Sequence, residues 1–143
     1  MTEAIDIRLI RSFAHAELLC VPGQPTLVVR ATAEFVPFAE FQSIFEAAAE
    51  VIRQENITQL VFDKRSLRVF DPESMEWYFT QWKEAMYDLG LRTHYKIMPE
   101  NIPFKYGVDL TRQRIFEQYP NARFHRMNIR YVASVEEALR SSQ

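Results

Sequence analysis

The feature that most constrains this chain is a change of hydrophobic period at Pro37. Before it, apolar residues recur at every second position; after it, at every third or fourth. Ile5, Ile7, Leu9 and Phe13 alternate with Asp6, Arg8 and Ser12, the spacing of a strand with one buried face. Residues 17–21 and 26–33 are two further β-rich runs. Between them stands Pro22-Gly23-Gln24-Pro25, where proline fixes φ and glycine tolerates positive φ, so the two runs are predicted to form a hairpin. Beyond Pro37, the spacing of Phe38, Phe41, Phe45, Ala48 and Ile52 predicts an amphipathic helix, with Glu40, Glu46, Glu50 and Arg53 elsewhere on its circumference. Pro37 suits its first turn and Asn56 its end.

The alternation then repeats. Residues 57–62 are an unbroken apolar run, the pattern of a central strand. Asp71-Pro72-Glu73 is a helix start, because the Asp side chain can accept from free backbone N–H groups, proline needs no hydrogen bond there, and Glu favours the positive end of the dipole. Met75, Phe79, Trp82, Met86 and Leu89 make the inward stripe of that helix, and Gly90 its left-handed stop. A strand over 94–98 and a helix carried by Val108, Thr111, Arg112, Ile115 and Tyr119 follow. Residues 124–133 alternate again, with His125, Met127, Ile129 and Tyr131 on one side. Ser134-Val135-Glu136-Glu137 opens a last short helix with a capping box. Three β runs followed by α-β-α-β-α-β-α predict an α/β fold: a mixed sheet of five to six strands with an antiparallel start, parallel crossovers later, and about four helices.

Length and composition bound what such a fold can do. At 143 residues, 48% of them hydrophobic and 25% charged, residues 1–143 are expected to form a single domain, with 1–13 as an additional N-terminal strand. No apolar run approaches the roughly 20 residues of a membrane span, and residues 1–10 build no signal-peptide core, so the expected location is the cytoplasm. Cys20 is the single cysteine, which excludes an internal disulfide and a Cys-rich zinc site. Residues 1–60 carry four Lys/Arg against eight Asp/Glu, whereas 91–143 carry nine against five. That asymmetry can steer a charged partner, but a net charge of −2 gives no case for nucleic acid.

No catalytic motif stands out. His15, His94 and His125 fall in separate elements without metal-ligand spacing, and the three glycines, Gly23, Gly90 and Gly107, are scattered, which excludes the glycine-rich phosphate loops. No metal and no cofactor are expected. The richest stretch is 61–72, joining a central strand to a helix start, where ligands of open α/β sheets gather. Asp63, Lys64, Arg65, Ser66, Arg68 and Asp71 are its candidate ligand- or partner-binding residues. The plainer reading pairs Asp63 with Arg65, or makes it a turn cap, and leaves the other charges in water. Trp77 and Tyr78 fall outside the Met75 stripe, so an aromatic edge is expected to face a partner, with a homodimer as the first expectation; cover by neighbouring loops is the alternative.

The element order, with Val61-Phe62-Asp63, Asp71-Pro72-Glu73-Ser74 and the ending Tyr131-Val132-Ala133-Ser134-Val135-Glu136-Glu137-Ala138-Leu139, resembles the small bacterial proteins of SpoIIAA-like, or STAS/SEC14-like, fold over roughly residues 14–140. The anti-sigma-factor antagonist branch of that family carries a phosphorylatable serine in an Asp-Ser-Ser-Gly loop. Here Pro72 occupies the serine position and no glycine follows, leaving Ser66 and Ser74 merely nearby. The resemblance implies a non-enzymatic interaction or regulatory module binding a protein partner or a second copy of itself. A small apolar or anionic ligand, or a lipid as the SEC14 likeness suggests, is the second reading; an enzyme using Asp63 with Arg65 or His94 is the third.

Overall fold

The computed structural model describes residues 6–141. Six strands form one mixed sheet in sequential order: β1 (Arg8–Ser12), β2 (Ala16–Cys20), β3 (Thr26–Ala31), β4 (Gln59–Asp63), β5 (Thr93–Ile97) and β6 (Asn128–Tyr131). The pairs β1–β2 and β2–β3 are antiparallel; β3, β4, β5 and β6 run parallel. The proline-flanked turn closes the β2–β3 hairpin, with Gly23 at φ 80° and the Gln24 N–H donating to the Val21 carbonyl at 3.1 Å.

Helices connect the parallel strands. Helix α1 (Phe38–Glu55) starts with Pro37 as its cap and stops where Asn56 turns left-handed at φ 52°. Helix α2 (Pro72–Trp77), a π turn (Tyr78–Trp82) and α3 (Lys83–Asp88) form one continuous helix. Asp71 caps it, accepting from the Ser74 N–H at 3.3 Å and the Ser74 hydroxyl at 2.8 Å, and Gly90, at φ 106°, ends it. Helix α4 (Ile102–Gln118) starts at Asn101, whose side chain accepts from the Phe104 N–H at 2.9 Å. Helix α5 (Val135–Ser141) carries the foreseen Ser134–Glu137 bond at 3.1 Å, but the Glu137 carboxylate reaches back to the N–H of Ala133 instead of Ser134.

Alternation along the strands sorts side chains to two faces. Leu18, Leu27, Val29, Leu60 and Phe62 pack beneath α1, the 72–88 helix and α4; Leu19, Val28, Val61, Tyr95 and Ile97 pack against Val135, Ala138 and Leu139 of α5. Because Leu60 pairs with His94 and Phe62 with Lys96, those two β5 residues lie on the three-helix face, while Asp63, one residue beyond Phe62, lies on the other.

Three expectations are corrected. Strand β1 does not bury one face: Leu9 is 55% exposed and Ile10 42%. Its register shifts between Leu9, opposite Leu19, and Arg11, opposite Leu18, so odd-numbered residues change face at a bulge. Ile7 accordingly joins the α5 side and Phe13 the three-helix side; Ile5 lies outside the described residues. Residues 124–133 are not one long strand, because Arg123–Arg126 is a 3-10 turn that drives Phe124 into the core. Finally, Tyr78 is interior, 3% exposed, while Leu89 of the expected stripe is 39% exposed. The π turn holds one extra residue per turn, which widens the buried arc so that Tyr78, Phe79 and Trp82 all face inward.

Candidate functional site

The loop from Asp63 to Asp71 leaves the carboxyl end of β4 and bends over the carboxyl ends of the parallel strands. Phe70 anchors it: a Cβ at Gly107 would stand 2.7 Å from the Phe70 ring, so the bare α4 backbone there is what admits the ring. Arg65, Ser66 and Arg68 are exposed at its outer side.

Asp63 is committed to structure. Its side chain, 3% exposed, accepts from Arg65 Nε at 3.0 Å, Arg65 Nη2 at 2.7 Å and the Arg65 N–H at 3.1 Å, and Arg30 Nε lies 3.5 Å away. Burial by itself would raise the Asp63 pKa, but these hydrogen bonds and the fields of Arg65 and Arg30 outweigh it and hold the carboxyl below its ordinary 3.8. The plainer sequence reading therefore describes Asp63. Strand parity also separates it from His94 across the sheet, so the Asp63–His94 pair considered for an enzyme is not assembled.

The expected aromatic edge is not formed either. Tyr78 stacks on Trp82, with ring centroids 5.3 Å apart, and its hydroxyl meets His94 Nε2 at 2.9 Å. Trp77 is half-buried, edge-on to Phe38 and Phe41. His15 pairs with Glu40 at 2.8 Å, and the ring of His125 hydrogen-bonds the Tyr119 carbonyl. Among the described residues no three His, Cys, Asp or Glu side chains group as metal ligands, and no helix is long and apolar enough to cross a membrane.

What the structure does assemble is a crevice of about 1550 Å³ over the carboxyl ends of β4, β5 and β6. Arg65 and Arg68 come from the loop, Lys105 and Arg112 from α4, and Lys96 from β5. Glu100, Asp109, Glu117 and Glu137 share the walls, but Glu137 is engaged at the α5 start and Glu117 accepts from Gln113 at 3.3 Å. Arg112 donates to the Tyr131 hydroxyl at the rim, and Arg68 to the carbonyls of Arg65 and Leu67, both at 2.9 Å. Lys96 forms part of the floor. It is 1% exposed, its Nζ has no hydrogen-bond partner, and it points at the Phe79 ring 4.9 Å away.

Lys96 is not alone. Lys83 is wholly buried, its Nζ equally unpartnered, 4.1 Å from the Phe79 ring and 5.0 Å from that of Tyr78. Lys64 lies 4.9 Å above the Phe62 ring. Burial, then the field of Arg112, brings Lys64 down to about 8; burial, then the fields of Lys64 and Arg112, with Lys83 added at Lys96, drives Lys83 and Lys96 well below the ordinary lysine value. Lys64 also lines a second, apolar cavity of about 60 Å³, walled by Phe41, Phe62, Phe70, Met75 and Phe104. Sequence reasoning picked out Lys64 but missed Lys83 and Lys96. The signal for Lys96 is its place in β5, a strand covered on both faces, where any side chain must be buried.

The chain matches no family model and no curated protein.

Proposed function

We propose that the chain is a non-enzymatic cytoplasmic binding module of STAS-like type, and that the crevice over β4, β5 and β6 receives an anionic group, carboxylate or phosphate, of its partner. The class is supported by the sheet, an antiparallel hairpin feeding parallel strands with helices between them. The single observation that carries the anionic reading is Lys96, a buried amine on the crevice floor with no hydrogen-bond partner, ringed by Arg65, Arg68, Lys105 and Arg112. An isolated buried cation is costly, and a negative group above it offsets that cost. The apolar-ligand alternative has less support, since the cavity beside Lys64 is about 60 Å³ whereas ligand pockets run to roughly 300–1,000 Å³.

The test is an NMR titration with inorganic phosphate and with succinate, in parallel with thermal melts, against sodium chloride at equal ionic strength. The expected result is a saturable shift of the amides of Arg68, Lys105 and Arg112 and a raised melting temperature. Lys96→Met should weaken binding about tenfold or more, the worth of one charge-assisted interaction. Chloride acting as well as either anion, or Lys96→Met binding unchanged, would refute the assignment.

A further inference from the structure

Helices α1 and α4 cover the same face of the sheet, but they turn opposite chemistry to water. Helix α1 exposes Ser43, Glu46, Glu50, Arg53 and Gln54, the polar side of an amphipathic helix. Helix α4 exposes Ile102, Tyr106 and Leu110, at 82%, 66% and 51%, and the first two are the most exposed large apolar side chains among the described residues. Their four-residue spacing makes them a ridge along the helix, on the side away from buried Phe104, Val108 and Ile115. Single exposed apolar residues are ordinary; a continuous ridge of them marks a contact surface.

The charges beside the ridge select what covers it. Lys105 and Asp109 stand on one flank, four residues apart and both exposed, and among the described residues neither side chain is in an ion pair or a hydrogen bond. Glu117, also exposed, continues the line of the ridge toward the helix end. A border that carries both signs is not the basic rim that a lipid surface attracts. One positive and one negative group at that spacing are instead matched by the same surface turned end for end.

We propose that the α4 ridge is a self-association surface, on which a second copy of the chain lays its own α4 antiparallel. A two-fold axis across the helices keeps like flanks together, so the flank of Lys105 and Asp109 meets its own counterpart. With the axis level with Gly107, Lys105 and Asp109 stand two residues to either side, about 3 Å along the helix, and each Lys105 comes level with Asp109 of the second copy. In the same register the ridges interleave: Leu110 of the second copy falls between Ile102 and Tyr106, and the two Tyr106 rings flank the axis. One register thus satisfies the apolar ridge and the charges beside it. Three apolar side chains from each copy bury less than the roughly 1,200–2,000 Å² of a stable interface, so the pair is weak, with a dissociation constant in the micromolar range. Lys105 and Asp109 also line the crevice, so the pair opens both crevices on one side. The pairing itself does not depend on an anion in either of them.

Sedimentation velocity of the full chain in chloride buffer, from about 1 to 500 µM, should show a reversible monomer–dimer equilibrium. Tyr106→Glu should raise the dissociation constant at least about tenfold, as removal of a central aromatic anchor does. Lys105→Glu should weaken the dimer, and Lys105→Glu with Asp109→Lys should bring it back to within about twofold of wild type. Carbodiimide coupling of mixed 14N and 15N wild-type chains should join Lys105 of one isotope to Asp109 of the other, a result that needs no variant to fold. A monomer at every concentration, a dimer indifferent to Tyr106→Glu, or coupling confined within single chains would overturn the proposal. So would a monomer that binds anionic lipid vesicles through Tyr106. Tyr106 does not line the crevice, so the phosphate titration of Tyr106→Glu tests the anionic reading separately.

Discussion

Replacing Lys64 by methionine should stabilise the folded protein, although it removes a charged residue from a candidate site. Lys64 is 8% exposed, and its amine has a value of about 8 in the fold against 10.5 for a free lysine. Between those two values the unfolded chain binds a proton here that the folded chain does not, so wild-type stability rises with pH across that interval. Below pH 8 both states are protonated, and the folded one bears the full penalty. The gap of about 2.5 pH units, at about 1.36 kcal/mol for each, sets that penalty near 3 kcal/mol. Methionine fills nearly the same volume without a charge, and gives up only the contact with the Phe62 ring, worth roughly 0.5–2 kcal/mol. The net expectation at pH 7 is a gain of about 1–2 kcal/mol. Urea unfolding of both proteins at intervals from about pH 6 to 10.5 measures it. The advantage should be flat up to about pH 8 and then shrink toward zero by about pH 10.5. A variant less stable than wild type at pH 7, or a difference that ignores pH between 8 and 10.5, would refute the reasoning.

Two further substitutions probe the remaining buried polar groups. Asp63→Asn should destabilise by about 2 kcal/mol, less than the roughly 3–5 of a wholly buried pair because Arg65 is half in water. The Asp63 carboxyl is depressed in the fold, so its contribution is present above pH 3.8 and is lost as pH falls through the folded value; acid titration of stability should be shallower in the Asn variant than in wild type. Tyr78→Phe leaves the buried His94 ring without its hydroxyl partner and should cost about 1–3 kcal/mol by thermal or urea unfolding. Burial, followed by the fields of Lys83, Lys96, Lys64 and Arg112, pushes His94 well below 6.5, so the ring should stay neutral by NMR from about pH 8 to 6. Below pH 6.5 the unfolded chain gains a proton that the folded ring does not, and stability should fall as pH is lowered.

The parts of the fold legible in the sequence are those where local chemistry and burial agree. The apolar runs of β3 and β4, the Asp71 cap, Pro22–Pro25 and the Ser134 cap each carry their own signal, and each forms the expected element. What escaped depends on one inserted residue. The bulge near Ile10 and the π turn at 78–82 each shift the register by one position, and a one-residue shift moves a whole set of side chains. Neither is marked by glycine or proline. For the site, the 63–72 stretch is legible from its place between a central strand and a helix start, but the split within it is not: Asp63 and Lys64 are adjacent in sequence and lie on opposite faces of the sheet. Lys83 falls outside the Met75 stripe in the sequence, and the widened turn places it against Phe79 and Tyr78.

The lysine cluster ties stability to binding in one direction only. Each amine lies in an apolar setting with rings for neighbours and no carboxylate in ion-pair contact, so replacing any of them with a methionine of similar volume removes a penalty. At Lys96 the same replacement also takes away the group that would meet an anion in the crevice. An anion that binds the folded chain alone stabilises it by mass action, so wild type should gain more from added ligand than Lys96→Met. In ligand-free buffer the order of stability should be variant above wild type, and at saturating ligand the gap should close or reverse. A core cluster serving only to fill space produces the first ordering without the second, since its stability is indifferent to any anion in solution.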